Sequence, residues 1–268
     1  MKDIKVGKII FIWFLSPILV GILVGIFLKI FNLEISDFTL EVLVSLGMLL
    51  LIIRSGKINI LLIKERFKDF KNKLNIKEII SVVLTQVFLS IGFSYLSLGF
   101  IAIVNLDKAL SIINSDVGNP KSLIELVMWS ISVIILAPII EELVFRKVLF
   151  VKFSKKLGIV ISAILSSLIF GIGHDILGVL GAVIFGLACC ILYKKYENII
   201  VPIAIHVINN IIAWILTCID YFQGELNSIT DNITRSDIDI YLIYGSLITV
   251  ISLIVFSIFI VKNKKIII

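Results

Sequence analysis

The chain has 268 residues, of which 59% are hydrophobic and only 16% are charged, and its mean hydropathy is +1.14. Soluble domains carry about 25% charged residues, so a water-soluble fold could not cover this much apolar side chain and the excess must face lipid. The net charge of +6 does not indicate nucleic-acid binding, because the basic residues cluster in the connections between apolar runs.

Eight apolar stretches are long enough, or nearly so, to cross about 30 Å of hydrocarbon as helices. They cover residues 8–30, 38–53, 79–105, 124–149, 157–173, 176–193, 198–218 and 240–261. The first is too long for a signal-peptide core, and no small-residue cleavage site follows it, so it predicts a retained span. The sequence therefore predicts an all-α polytopic membrane protein with about eight transmembrane helices, forming one transmembrane domain over residues 1–268.

The basic residues favour one side of the predicted membrane. With a cytoplasmic N-terminus, all but four of the 25 Lys and Arg residues fall in the inner segments. The exceptions are Lys29, Lys108, Lys121 and Arg235. Cytoplasmic loops are enriched in Lys and Arg, so we expect a multi-pass cell-membrane protein with both termini in the cytoplasm.

The inner segment 54–77 has an amphipathic pattern of its own. Apolar residues recur at helical spacing with basic residues between them. The apolar set is Ile60, Ile63, Phe67, Phe70 and Leu74, and the basic set is Lys64, Arg66, Lys68, Lys71 and Lys73. This pattern predicts a helix lying on the anionic inner leaflet, with a solvated basic loop as the alternative.

The fourth span carries an acidic pair followed by an arginine. Glu142 and Arg146 are four residues apart with the acid first, which favours an ion pair on one face of a helix. Glu141 is rotated about 100° around the helix and is left for another role, such as that of a general base. Pro138 cannot donate a backbone hydrogen bond, so we expect a kink or a freed carbonyl beside the pair. Anchoring of the helix at the interface is the alternative for this cluster.

Each of the two histidines lies in another apolar stretch. Phe170 and His174, at the end of the fifth span, are one turn apart, so the Phe170 ring can pack against one side of the imidazole. Asp175 is either a partner of His174 or the polar end of the span. On the seventh span His206 and Asn210 share a face, giving two donors side by side as an oxyanion requires. Interhelical hydrogen bonding is the alternative for that pair.

The three sites together supply a base, an imidazole to share a proton, and two donors for a tetrahedral intermediate. Ionisable groups at membrane depth are costly, by roughly 2.5 kcal/mol or more each, and mark functional sites. GxSxG, HExxH and P-loop patterns are absent from the sequence, which removes the common soluble hydrolase and ATPase classes. The three cysteines are not spaced as CxxC and predict neither a disulfide framework nor a thiolate metal site.

The motifs Glu141-Glu142-x-x-x-Arg146, Phe170-x-x-x-His174 and His206-x-x-x-Asn210, in this order, resemble the signature of the CPBP family of intramembrane proteases. That family comprises the CAAX prenyl endopeptidases and the bacterial Abi or bacteriocin-processing and immunity proteins. The resemblance covers residues 124–218, the expected catalytic core. It implies that Glu141 is the catalytic glutamate, that His174 helps it activate water, and that His206 and Asn210 stabilise the oxyanion. Glu142 and Arg146 would hold the site together.

The resemblance implies an endopeptidase that hydrolyses a peptide bond of a protein or peptide substrate at the bilayer. Zinc on Glu141, His174 and His206 is a further possibility, because two histidines and a glutamate can form a three-ligand site with an open position. We expect no obligatory metal or other cofactor. Two other functions remain open: an ion-coupled transporter, which predicts repeats or broken helices in both halves, and a non-catalytic immunity or scaffold protein.

Overall fold

The computed structural model describes residues 4–58, 65–70, 75–114, 119–223 and 233–267. In these ranges the regular structure is helical throughout, and residues 65–70 are also helical. The remaining helices are α1 (Val6–Phe31), α2 (Asp37–Gly56), α3 (Ile76–Val104), α4 (Leu106–Ile113), α5 (Leu123–Leu157), α6 (Ile159–Ile172), α7 (Val179–Tyr196), α8 (Ile200–Gln223), α9 (Arg235–Lys262) and α10 (Lys264–Ile267).

Among the described helices, seven are long and apolar enough to cross a membrane: α1, α2, α3, α5, α7, α8 and α9. The predicted all-α polytopic fold is confirmed. The predicted fifth span is present as α6, but its 14 residues extend only about 21 Å at 1.5 Å per residue. It ends at Gly173, and the chain turns back into α7 within a few residues. The fifth and sixth predicted spans thus form a short hairpin, which carries His174 at its turn.

Glycines and small side chains let neighbouring helices approach closely. Gly92 of α3 faces the backbone of Thr249 in α9, and Gly245 of α9 faces Leu96 in α3. In the α6–α7 hairpin, Gly186 lies directly over Ser167, with no room for a Cβ. Small residues that admit close backbone contact are the usual basis of helix packing in membranes. The α6–α7 hairpin and the α3–α9 pair are therefore closely packed.

One end of the bundle collects many of the basic residues, and we call it the basic end. Here Arg66 Nη1 donates to the Glu197 carbonyl at 2.9 Å, and Asn198 Nδ2 donates to the Arg66 carbonyl at 2.7 Å. At the same end Lys195 reaches Glu78. Residues 65–70 are thus helical and tied to the α7–α8 turn, as part of the predicted amphipathic helix. Its other predicted positions, Ile60, Ile63, Leu74, Lys64, Lys71 and Lys73, lie outside the described residues.

The main core receives buried side chains from α1, α2, α3, α5, α6, α7, α8 and α9. Its buried members include Val144, Phe145, Phe170, Leu192 and Val201. Cys189 and Cys190 are buried as free thiols, and Cys218 is a free thiol that is partly exposed. Cys189 and Cys190 therefore pack as small apolar residues inside the bundle.

Candidate active site

The helix that carries the acidic pair is irregular on both sides of Pro138. π-Helical stretches cover Ile131–Leu136 and Glu142–Phe150 within α5. In a π-helix each N–H bonds the carbonyl five residues earlier, and Ala137 does so with Ser132. Pro138 has no N–H for the next carbonyl, that of Val133. The Val133 carbonyl instead accepts a hydrogen bond from Asn210 Nδ2 at 2.7 Å. The freed carbonyl predicted from Pro138 is therefore present and links α5 to α8.

Glu142 and Arg146 form an ion pair inside the protein. Arg146 Nε lies 3.1 Å from Glu142 Oε2, and both side chains are completely buried. The separation of four residues along one helix produces this contact, as the sequence predicts. A buried carboxylate stays ionised only when it is paired, so Arg146 keeps Glu142 as a hydrogen-bond acceptor.

His206 lies between the two glutamates. Its Nδ1 is 3.0 Å from Glu142 Oε1, and its Nε2 is 3.7 Å from Glu141 Oε2. An ionised carboxylate can only accept, so Nδ1 carries the proton of that hydrogen bond. The bond fixes the orientation of the ring and turns Nε2 toward Glu141. The two adjacent glutamates consequently differ in environment: Glu142 is buried and paired, whereas the Glu141 side chain is 17% exposed.

Aromatic rings enclose the imidazole and the guanidinium. Phe185 of α7 contacts the His206 ring edge-on with centroids 4.9 Å apart, and Phe170 of α6 lies 6.0 Å away on another side. The Arg146 guanidinium stacks over the same Phe170 ring at 4.3 Å. A cation over an aromatic face is stabilised by the ring quadrupole. Phe170 therefore links the ion pair to both histidines.

His174 lies at the turn of the α6–α7 hairpin, on the exposed side of Phe170. Its ring is 4.7 Å from the Phe170 ring, and its Nδ1 donates to the Phe170 carbonyl at 3.1 Å. His174 lies within electrostatic range of Glu141. Asp175 does not serve as a hydrogen-bond partner of His174: its Oδ1 accepts from the backbone N–H groups of Leu177 and Gly178 and closes the turn before α7.

The structure brings Glu141, Glu142, Arg146, Phe170 and His206 into one cluster. His174 adjoins it through Phe170. Asn210 lies one turn along α8 from His206, and its Nδ2 is engaged with the Val133 carbonyl.

Several residues that support the site could not be identified from the sequence around them. Phe185 is one aromatic residue among many, and only the hairpin places it on His206. Trp214 Nε1 donates to Ser130 Oγ at 2.6 Å, and Ser166 Oγ donates to the Phe145 carbonyl at 2.9 Å. Each contact joins α5 to a helix that follows it in the chain.

The described side chains do not assemble a metal site. No group of three His, Cys, Asp or Glu residues within the described ranges is arranged to hold an ion. His206 Nδ1 is bonded to Glu142, and His174 Nδ1 is bonded to the Phe170 carbonyl. The candidate zinc ligands Glu141, His174 and His206 therefore do not form a three-ligand set among the described residues.

The part of the chain that carries this cluster is similar to a known family. Residues 123–212 match the family described as "Type II CAAX prenyl endopeptidase Rce1-like". The resemblance to the CPBP intramembrane proteases is confirmed. The matched region includes Glu141, His174, His206 and Asn210 and lies within helices α5 to α8.

A curated relative points the same way. The chain is 30% identical over 114 residues to the Bacillus subtilis (strain 168) protein named "Putative membrane peptidase YdiL". The alignment covers 42% of this chain and 43% of the relative, so the chain spans less than half of that protein's length. No solved structure gives a significant match. The family and the relative support a membrane protease at the level of the family, whereas the predicted Abi and bacteriocin roles stay predictions.

Proposed function

We propose that this protein is an intramembrane endopeptidase that hydrolyses a peptide bond of a membrane-associated protein or peptide. The observation that carries the proposal is the position of His206 between a buried, paired glutamate and a second glutamate that remains partly exposed. Adjacent carboxylates held in different environments are suited to different tasks, one structural and one in proton transfer. The match to the CAAX endopeptidase family supports the same reaction class.

In the proposed mechanism, Glu141 is the general base. It removes a proton from water, and the oxygen of that water attacks the carbonyl carbon of the substrate peptide bond. Glu141 and His206 Nε2 are 3.7 Å apart, longer than a direct hydrogen bond, so one water beside the line joining them can bond both groups. The proton is then delivered to the amine as the C–N bond breaks. General acid–base catalysis of this kind contributes about 10²- to 10⁴-fold to the rate.

The other residues orient or complete the site in this proposal. Glu142 and Arg146 fix the tautomer and the direction of His206. His174, beside Phe170 and within electrostatic range of Glu141, assists the activation of water. Nε2 of His206 becomes a donor once it takes the water proton from Glu141, because both ring nitrogens of a protonated imidazole donate. It then stabilises the oxyanion together with the second N–H of Asn210, since the first N–H of Asn210 is engaged with Val133. Residues 124–218 would then form the catalytic core, and the substrate would reach it from the bilayer.

The test is cleavage by the full chain in detergent, with the variant Glu141→Gln and the control Glu34→Gln. Glu34 is an exposed glutamate in the loop between α1 and α2. Two probes are offered, a farnesylated CAAX peptide and a library of apolar peptides, and products are identified by mass. We expect wild type and Glu34→Gln to cleave at the same rate and Glu141→Gln to lose at least about 100-fold, with its thermal unfolding unchanged.

The competing functions give different results. Cleavage by Glu141→Gln at the wild-type rate would reject Glu141 as the base. If no variant cleaves either probe but Glu141→Gln abolishes ion flux in proteoliposomes, the protein is a transporter. Absence of both activities from the wild type would favour the non-catalytic immunity or scaffold role.

A further inference from the structure

A cleft of about 320 Å³ lies between the last turns of α5 and the end of α7. It is separate from the catalytic cluster, although Lys147 follows Arg146 directly in the chain. Its wall is basic on several sides and apolar at the base. The lining includes Lys147, Lys152, Lys155 and Lys194, with Phe150 and Tyr193. It opens at the basic end of the bundle.

The charges around the cleft are unbalanced. Four lysines and one acid, Glu197, line the space. Lys147 donates to the Tyr193 hydroxyl at 3.0 Å and lies 5.4 Å from the centre of the Tyr193 ring, so its ammonium group is held at the wall. Like charges gathered around a small volume repel one another. An anion in the cleft would relieve that repulsion.

Helix-end effects account for only part of this arrangement. Lys155 and Lys194 lie in the last turns of their helices, where cations complement the helix dipole. Lys156 and Lys195 share those turns but do not line the cleft. Lys147 and Lys152 line it from earlier turns of α5. The lysines thus converge on the cleft beyond what the two helix ends require.

We propose that the cleft binds the phosphate of an anionic phospholipid headgroup. Basic pockets between transmembrane helices on the cytoplasmic side bind such headgroups. Phe150 is buried at the base of the cleft, and Tyr193 packs against it with ring centres 6.4 Å apart, which supplies an apolar and aromatic surface of the kind found at the membrane interface. A free phosphate ion would use the same lysines but would gain nothing from the apolar base. The lipid site does not depend on the proposed peptidase activity.

The experiment is native mass spectrometry of the full chain, delipidated in detergent and titrated with phosphatidylglycerol, phosphatidylcholine or inorganic phosphate. The test variant is Lys155→Gln with Lys194→Gln. The matched control is Lys156→Gln with Lys265→Gln, which removes two exposed lysines from the same end without touching the cleft. A basic residue near a phosphate contributes a factor of about five to affinity. We therefore expect the test variant to bind phosphatidylglycerol about 25-fold more weakly and the control to bind as wild type does.

Restoring charge should restore binding, so Lys155→Arg with Lys194→Arg should bind phosphatidylglycerol within about threefold of wild type. Equal weakening of the test and control variants would overturn the proposal, because general surface charge would explain it. Binding of inorganic phosphate in place of phosphatidylglycerol, with the same dependence on the two lysines, would overturn the lipid assignment. Equal affinity for phosphatidylcholine would also overturn it, because the site would then not select anionic lipid.

Discussion

Two carboxylate clusters connect helices in this protein, and they differ mainly in burial. The site cluster, Glu141, Glu142, Arg146 and His206, lies inside the bundle, and its ion pair is completely buried. The end cluster lies at the basic end. Its members are Glu78, Lys195, Tyr196 and Asn263. There Glu78 accepts from Lys195 at 2.6 Å and from the Tyr196 hydroxyl at 2.7 Å, but the two charged side chains remain 14% and 30% exposed.

The contacts of the two clusters are of similar length, so distance alone does not explain their different roles. Exposed pairs are screened by water and contribute about 0 to 1 kcal/mol. Breaking a buried pair leaves an uncompensated charge and costs about 3 to 5 kcal/mol. The end cluster is thus a weak link among α3, α7 and α9, whereas the site cluster determines whether the core is stable. Burial therefore predicts that variants of the site cluster lose more stability than variants of the end cluster.

Removing the arginine of the site cluster should have the largest effect on stability. Arg146→Met leaves Glu142 buried and without its cation, so we expect a loss of about 3 to 5 kcal/mol, measured by thermal unfolding in detergent. The double variant Glu142→Gln with Arg146→Met removes both charges and should recover a large part of that loss. If the single and double variants unfold alike, the buried charge is not the source of the instability.

Replacing the ring that links this ion pair to the histidines should have an intermediate effect. Phe170→Leu keeps an apolar side chain but removes the contacts of the ring with the Arg146 guanidinium and the His174 imidazole. A desolvated cation–π contact contributes about 2 kcal/mol, and we expect a loss of that size in unfolding free energy. Phe150→Leu is the matched control, because Phe150 is equally buried but packs on Tyr193. An equal loss in both variants would attribute the effect to volume alone.

The hydrogen bond between α8 and the irregular part of α5 should contribute less. Asn210→Ala leaves the Val133 carbonyl without the donor that Pro138 cannot supply, and an unsatisfied carbonyl costs about 1 to 3 kcal/mol when buried. Val133 is only half-buried, so we expect about 1 kcal/mol by thermal unfolding. Asn209→Ala is the control, since Asn209 makes only a long contact to Asn210 at 3.4 Å. A larger loss from Asn209→Ala would contradict this assignment.

These contacts also mark how far the sequence could predict the site. The contact of Glu142 with Arg146 is local, so helical spacing is sufficient to predict it. The contact of His206 with Glu142 joins residues 64 positions apart, and no periodicity encodes it. From the sequence, His206 was predicted to act together with Asn210, because the two residues share a face of α8. The structure instead bonds Nδ1 of His206 to Glu142, turns Nε2 toward Glu141 and directs Asn210 to a carbonyl.

The fold could be predicted from the sequence more fully than the site could, for a physical reason. Each membrane-crossing helix needs a long apolar run, so the local composition of the sequence indicates where these helices lie. The length of α6 was harder to predict from the sequence. The turn at Gly173 to Gly178 depends on Asp175, which accepts hydrogen bonds from two backbone N–H groups. Likewise, the two π-helical stretches of α5 could not be read from apolar periodicity, which does not distinguish helices of slightly different pitch.

The smallest effect should come from the end cluster. Glu78→Gln keeps hydrogen-bonding atoms for Tyr196 and Asn263 but removes the charge that attracts Lys195. Since this pair is partly exposed, we expect a loss of about 0.5 kcal/mol in thermal unfolding. That loss should largely disappear in 1 M salt, where the Debye length is about 3 Å and the wild-type pair is itself screened. Arg146→Met, by contrast, should keep its deficit at any salt concentration, because salt does not reach a buried pair. A salt-independent loss from Glu78→Gln as large as that of Arg146→Met would remove the distinction between the two clusters, and burial would no longer explain why one of them could support catalysis.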